Sequence, residues 1–144
     1  MTVLMLKSTK IRSYEIGLCF RDGEFEGLTG APPGPDRFAS VRDLAAATGA
    51  VVLLKGPTTV VADPSGDVLV VRSGDERLAT AGTGDVLAGI IGALIAMRVD
   101  AFEAAAAGAW IHGRAALGAP AAGMVASDLL AQLPQVLSDL RDGR

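Results

Sequence analysis

The chain contains one cysteine and one histidine in 144 residues, and its formal net charge is −3. Each scarcity excludes something. A lone cysteine, Cys19, rules out an internal disulfide framework and fits a reducing compartment, with the cytoplasm as the expected location. It has no recognisable base nearby in the sequence and reads as a small apolar packing group. A lone histidine, His112, lacks the companion ligands of a protein metal centre, so none is expected. On an alanine-rich helical stretch it reads as a packing residue rather than a base. The longest uncharged apolar run, residues 86–97, falls short of the roughly 20 residues needed to span a bilayer. No charged-then-apolar secretion signal opens the chain. The shortage of positive charge argues against nucleic acid as the main partner, because phosphate binding needs a basic stripe.

What is present is a hydrophobic half (50% by composition) in a length suited to one core. Alanine is absent before Ala31 and frequent after it. The first 21 residues carry Lys7, Lys10, Arg12 and Arg21 against Glu15 alone, whereas the remainder is acidic. This seam suggests an atypical leader over 1–21 and a globular portion over 22–144.

Residues 31–35 form a Pro-rich loop. Asp36 then caps a helix through Thr48, with Phe38, Val41, Leu44 and Ala45 on one face and Gly49 as its stop. The continuous apolar run 51–54 predicts a strand buried on both faces of a parallel sheet. A hairpin follows: strand 59–62, a turn at 63–66, and strand 68–71. A Gly- and Thr-rich stretch, 79–84, leads into a helix over 85–97, where Gly89 and Gly92 would allow close packing. A second helix covers 101–117, and its alanines 104–107 suit packing within the chain or against another copy. A third is expected to be capped by Ser127, to begin at Asp128, and to kink or restart at Pro134. The sum is an α/β layer with a helical flank.

Two segments carry chemistry. A glycine-rich turn feeding an apolar helix, Gly82-Thr83-Gly84-Asp85, exposes unpaired amides beside a helix dipole, which suits a phosphate. Asp85 at the helix start could take a proton from a substrate hydroxyl while the amides of Gly82, Thr83 and Gly84 hold a transferring phosphoryl group. The plainer reading is an ordinary helix cap, and no Gly-Lys-Ser/Thr follows to make a Walker A loop. Lys55-Gly56-Pro57-Thr58-Thr59 ends the buried strand, where open α/β sheets bind ligands, although a solvent-facing strand-to-hairpin turn would look the same. Arg21-Asp22-Gly23-Glu24 reads as a solvated turn or a polar ligand loop.

Taken in order, Asp22-Gly23-Glu24-Phe25, Leu54-Lys55-Gly56 with Thr59, the stretch 78–89 around Gly82–Asp85, Trp110-Ile111-His112-Gly113 and Ala126-Ser127-Asp128-Leu129 resemble the C-terminal half of the nucleotide-dependent NAD(P)H-hydrate dehydratases. The resemblance implies a partial ribokinase-like sheet flanked by helices, with no counterpart of the family's N-terminal half. It also implies the repair of (S)-NADHX and (S)-NADPHX to NADH and NADPH, with ADP or ATP consumed and Mg²⁺ accompanying the polyphosphate. On this reading Asp85 activates the hydrate hydroxyl, and Lys55, Gly56, Pro57, Thr58, Thr59 and Gly84 contact the nucleotide. The amides of Gly82, Thr83 and Gly84 form the anion hole, and Glu24 lies with Asp85 on the substrate side. Arg21 stands where the family usually has a histidine, and Asp75-Glu76-Arg77 where it has Asn-x-Gly. Residues 1–4 would be a strand remnant followed by foreign sequence, as in a truncated or frame-disrupted product. A vitamin-precursor kinase of the ribokinase superfamily, and a non-catalytic nucleotide-binding fragment or partner-dependent subunit, are the alternatives. The expected partners are a small-molecule substrate and a nucleotide, with self-association possible and neither nucleic acid nor membrane involved.

Overall fold

The computed structural model describes residues 34–143, together with two short paired segments, β1 (Phe20–Arg21) and β2 (Glu24–Phe25). The readings for Cys19, for residues 1–4 and for the Glu24 side chain lie outside the described residues.

Helix α1 (Arg37–Thr48) starts where the Asp36 carboxylate accepts the amides of Phe38 and Ala39, each at 3.0 Å. It stops at Gly49, whose φ of 66° places it in the left-handed region that only glycine enters freely. Strands β3 (Val52–Leu54), β4 (Thr59–Ala62) and β5 (Val68–Val71) form one antiparallel sheet in that order. Asp63 closes the β4–β5 turn by accepting the amides of Ser65, Gly66 and Asp67, all at 3.0 Å. The parallel neighbour expected for β3 is not found among the described residues, where β3 pairs only with β4 and antiparallel to it. The predicted burial on both faces does hold, because the sheet lies between two helical layers.

Side chains alternate across that sheet with the period of two that a strand imposes. Val52, Leu54, Val60 and Ala62 meet Val41 and Ala45 of α1. On the opposite face, Leu53, Val61 and Val71 meet Leu87 and Ile91 of α2 (Thr83–Ala96) and Ala105 and Ala109 of α3 (Ala101–Gly118). A third cluster joins α3 to α4 (Ala126–Arg141) through Ile111, Ala115, Ala116, Leu129 and Val136. None of the helices described is long and apolar enough to cross a membrane.

Several expectations change in detail. Phe38 is 49% exposed and stands off the core, leaving Val41 and Ala45 as the buried positions of α1. Helix α2 begins at Thr83, two residues early, because Gly82 at φ 85° turns the chain into the helix without a side-chain cap. Ser127 does not cap α4. Instead Asp128 reaches back to accept the Val125 amide at 2.8 Å, and the helix runs through Pro134 without restarting. Ala104 and Ala105 are fully buried in the chain's own core rather than held for a second copy.

The close-packing glycines are also different ones. Gly89 and Gly92 face open space among the described residues. Gly108, by contrast, abuts Ile91, whose Cγ1 would lie 2.5 Å from an added Cβ, and Gly113 is pressed against the Ser73 backbone. Gly89→Ala and Gly92→Ala should therefore each raise stability by about 0.5–1 kcal/mol through helix propensity. Gly113→Ala should lower it, and thermal denaturation of the three variants checks both signs.

Candidate functional site

The loop after β3, the 3-10 turn Glu76–Ala79 and the first turn of α2 surround one cleft of about 940 Å³, with His112 of α3 among its walls. Lys55, Gly56, Pro57 and Thr59 line it from one side, and Gly82, Thr83, Gly84 and Asp85 from another. The two stretches singled out in the sequence thus meet. Thr58 belongs to the same loop.

Thr83 is the joint between them. It is 1% exposed, and its hydroxyl donates to the Leu78 carbonyl at 2.8 Å. Lys55 Nζ donates to that carbonyl at 3.3 Å and reaches Thr83 Oγ1 at 3.5 Å. Lys55 is therefore half-buried and tethered to the start of α2 rather than waving in solvent, and burial lowers its pKa below the usual lysine value. The Thr83 amide donates to the Thr80 carbonyl at 3.3 Å, and the Asp85 amide to the Gly82 carbonyl at 3.1 Å. Of the three amides expected to meet an anion, that of Thr83 is thus already paired, and those of Gly82 and Gly84 have no such partner among the described residues. Asp85 sits at the third helical position, not the first, and is exposed toward the cleft.

His112 is 2% exposed and its Nε2 lies 2.8 Å from the Thr83 carbonyl. The carbonyl can only accept, so Nε2 carries the proton and Nδ1 keeps its lone pair. Burial, reinforced by the positive charge of Lys55, pushes the imidazole pKa down to about 4 against the opposing pull of that hydrogen bond. His112 is thus a buried packing residue with its polar edge satisfied, as the sequence suggests, and it anchors the first turn of α2. Nearby, Asp75 accepts Arg77 Nη2 at 2.6 Å and Nε at 2.9 Å, while Arg77 Nη1 donates to the Ala119 carbonyl at 2.8 Å. This pair ties the rim of the cleft to the end of α3.

Sequence reasoning missed Arg37. Its guanidinium crosses from α1 to the carbonyls of Leu54, Lys55 and Thr58. Gly56 lies beside it, where an added Cβ would stand 2.7 Å from both terminal guanidinium nitrogens. Among the described residues no group of three or more His, Cys, Asp and Glu side chains is placed to hold a metal ion.

Comparison with known proteins follows this geometry. A family model described as NAD(P)H-hydrate dehydratase matches residues 16–137. The chain is 56% identical over 90 residues to an ADP-dependent (S)-NAD(P)H-hydrate dehydratase of Neisseria meningitidis, covering 62% of this chain and 30% of that protein. It is 53% identical over 93 residues to a bifunctional NAD(P)H-hydrate repair enzyme of Mycobacterium leprae, covering 65% of this chain and 20% of that protein. Among solved structures, the ADP/ATP-dependent NAD(P)H-hydrate dehydratase of Bacillus subtilis, co-crystallized with ATP and Mg²⁺, superposes with a TM-score of 0.67 at 32% identity. That superposition spans 72% of this chain and 39% of the other. The chain thus spans well under half the length of the relatives it matches.

The state of His112 has a measurable consequence. Its folded pKa of about 4 lies below the unfolded value near 6.5, so the unfolded chain binds the proton more readily. The stabilisation is fully present above about pH 6.5 and is lost as pH falls toward 4, with a slope of at most ~1.4 kcal/mol per pH unit. Denaturant titrations between pH 7 and 4 should show this slope in the wild type and its flattening in His112→Gln. An unchanged slope in the variant would assign the acid sensitivity to other groups.

Proposed function

Because the chain belongs to the NAD(P)H-hydrate dehydratase family, we propose that it takes part in the nucleotide-dependent dehydration of (S)-NADHX and (S)-NADPHX to NADH and NADPH. Its share is binding ADP or ATP and transferring the phosphoryl group. The observation that carries this reading is the shared cleft, in which Lys55 and its loop face the Gly82–Asp85 turn.

The chemistry follows from the poor leaving ability of hydroxide. Asp85 accepts the proton of the hydrate hydroxyl as its oxygen takes the terminal phosphoryl group of the nucleotide. The Gly82 and Gly84 amides and the α2 dipole hold the charge that passes to the leaving nucleotide and the transferred group. Carbon–oxygen cleavage then releases inorganic phosphate, a proton leaves the neighbouring ring carbon, and the ring double bond is restored. Lys55, Gly56, Pro57, Thr58, Thr59 and Gly84 are the proposed nucleotide contacts, with Glu24 and Asp85 toward the substrate. With no acidic cluster among the described residues, Mg²⁺ would be carried by the phosphate oxygens themselves. The single cysteine is compatible with work in the reducing cytoplasm.

The test is recovery of NADH from NADHX by the purified chain with ADP or with ATP. Nucleotide-dependent recovery by the chain alone would support this reading, and Asp85→Asn should then lower kcat by about 10²–10⁴-fold while nucleotide binding persists. Phosphorylation of an alcohol substrate without NADH recovery would point instead to a small-molecule kinase. Nucleotide binding without turnover, unaffected by Asp85→Asn, would point to a binding fragment or a partner-dependent subunit.

A further inference from the structure

The activity just described makes no use of Arg37, yet this side chain has an unusual set of contacts. It is the first residue of α1, and its half-buried guanidinium extends to the far end of β3. There one nitrogen, Nη2, shares its two N–H groups among the carbonyls of Thr58 at 3.0 Å, Lys55 at 3.1 Å and, most distantly, Leu54 at 3.3 Å. Gly56 lies flat against the same guanidinium, so this loop position admits no side chain without displacing it. The amides of Gly56 and Thr58 form no hydrogen bond among the described residues. Three carbonyls, those of Leu54, Lys55 and Thr58, are therefore met by Arg37, while the amides of Gly56 and Thr58 are free among the described residues. A carbonyl oxygen turned toward a phosphate would repel it, and the free amides on either side of Pro57 attract it.

We propose that Arg37 is a positioning residue of the nucleotide site. By holding three carbonyls on its own side, it leaves the loop amides and the Lys55 ammonium to face the phosphates of a nucleoside diphosphate. The inference rests on the nucleotide-dependent reading above and adds to it a residue outside the cleft-lining set.

Calorimetric titration of the 144-residue chain with ADP, alone and with Arg37→Met and Arg37→Lys, tests this, each Kd being referred to the folded fraction measured by circular dichroism. Arg37→Met should weaken ADP binding by about tenfold or more, the scale of one hydrogen bond to a charged group. Arg37→Lys, which keeps the charge and most of the stem, should recover part of that loss. If Arg37→Met does not fold, a weakened Kd in Arg37→Lys supports the proposal and an unchanged one overturns it. A lowered Tm with the wild-type Kd in both variants would show a purely structural role and overturn the proposal alone. Absence of ADP binding by the wild-type chain would overturn the functional reading and this role with it.

Discussion

The site depends on the burial of Thr83. Its hydroxyl is spent on the Leu78 carbonyl and its own carbonyl accepts a hydrogen bond from His112 Nε2, so the first turn of α2 is held from two sides. Buried polar groups of this kind are costly when unmatched and directional when matched, which makes the arrangement a locating device. With Thr83 pinned, the amides of Gly82 and Gly84 and the Asp85 carboxylate are left at the cleft. Lys55 enters the same cluster from the sheet side, and so ties the loop after β3 to the helix start across 28 residues of sequence.

The imidazole fits this role because it is neutral. A protonated ring beside Lys55 would place two positive charges in a desolvated pocket, and the depression of the His112 pKa is the price of avoiding that. Neutral His112 can donate from Nε2 without adding charge behind the first turn of α2. Among the residues lining the cleft, positive charge therefore resides on Lys55, supported by the helix dipole. Arg37 adds a second constraint from the opposite layer, so α1 and α3 each fix one wall of the cleft.

Much of this was legible in the sequence, for local reasons. Asp36 and Gly49 mark the ends of α1 because a side-chain cap and a left-handed glycine act within a few residues. The hairpin was equally readable from its Asp63–Gly66 turn. The start of α2 was misplaced because Gly82 enters the helix through backbone conformation alone, and that of α4 because Asp128 caps backward onto Val125. Strand direction at β3 was not readable, since an apolar run records burial and not the identity of its neighbour. Nor could the sequence separate Gly89 and Gly92 from Gly108 and Gly113, because only packing decides which glycine meets another element. The meeting of Lys55 with Thr83, and the reach of Arg37, are long-range facts without a local signature. The resemblance anticipated that the first pair would share a site, and nothing in the sequence anticipated the second.

The central claim is that the loop after β3 and the first turn of α2 form one nucleotide site. Titrating the isotopically labelled chain with Mg²⁺–ADP and following backbone amide resonances tests it most directly. The account predicts that Gly56, Thr58 and Thr59 shift together with Gly82 and Gly84 along a single binding isotherm. Movement of only one of these groups, or of neither, would contradict it.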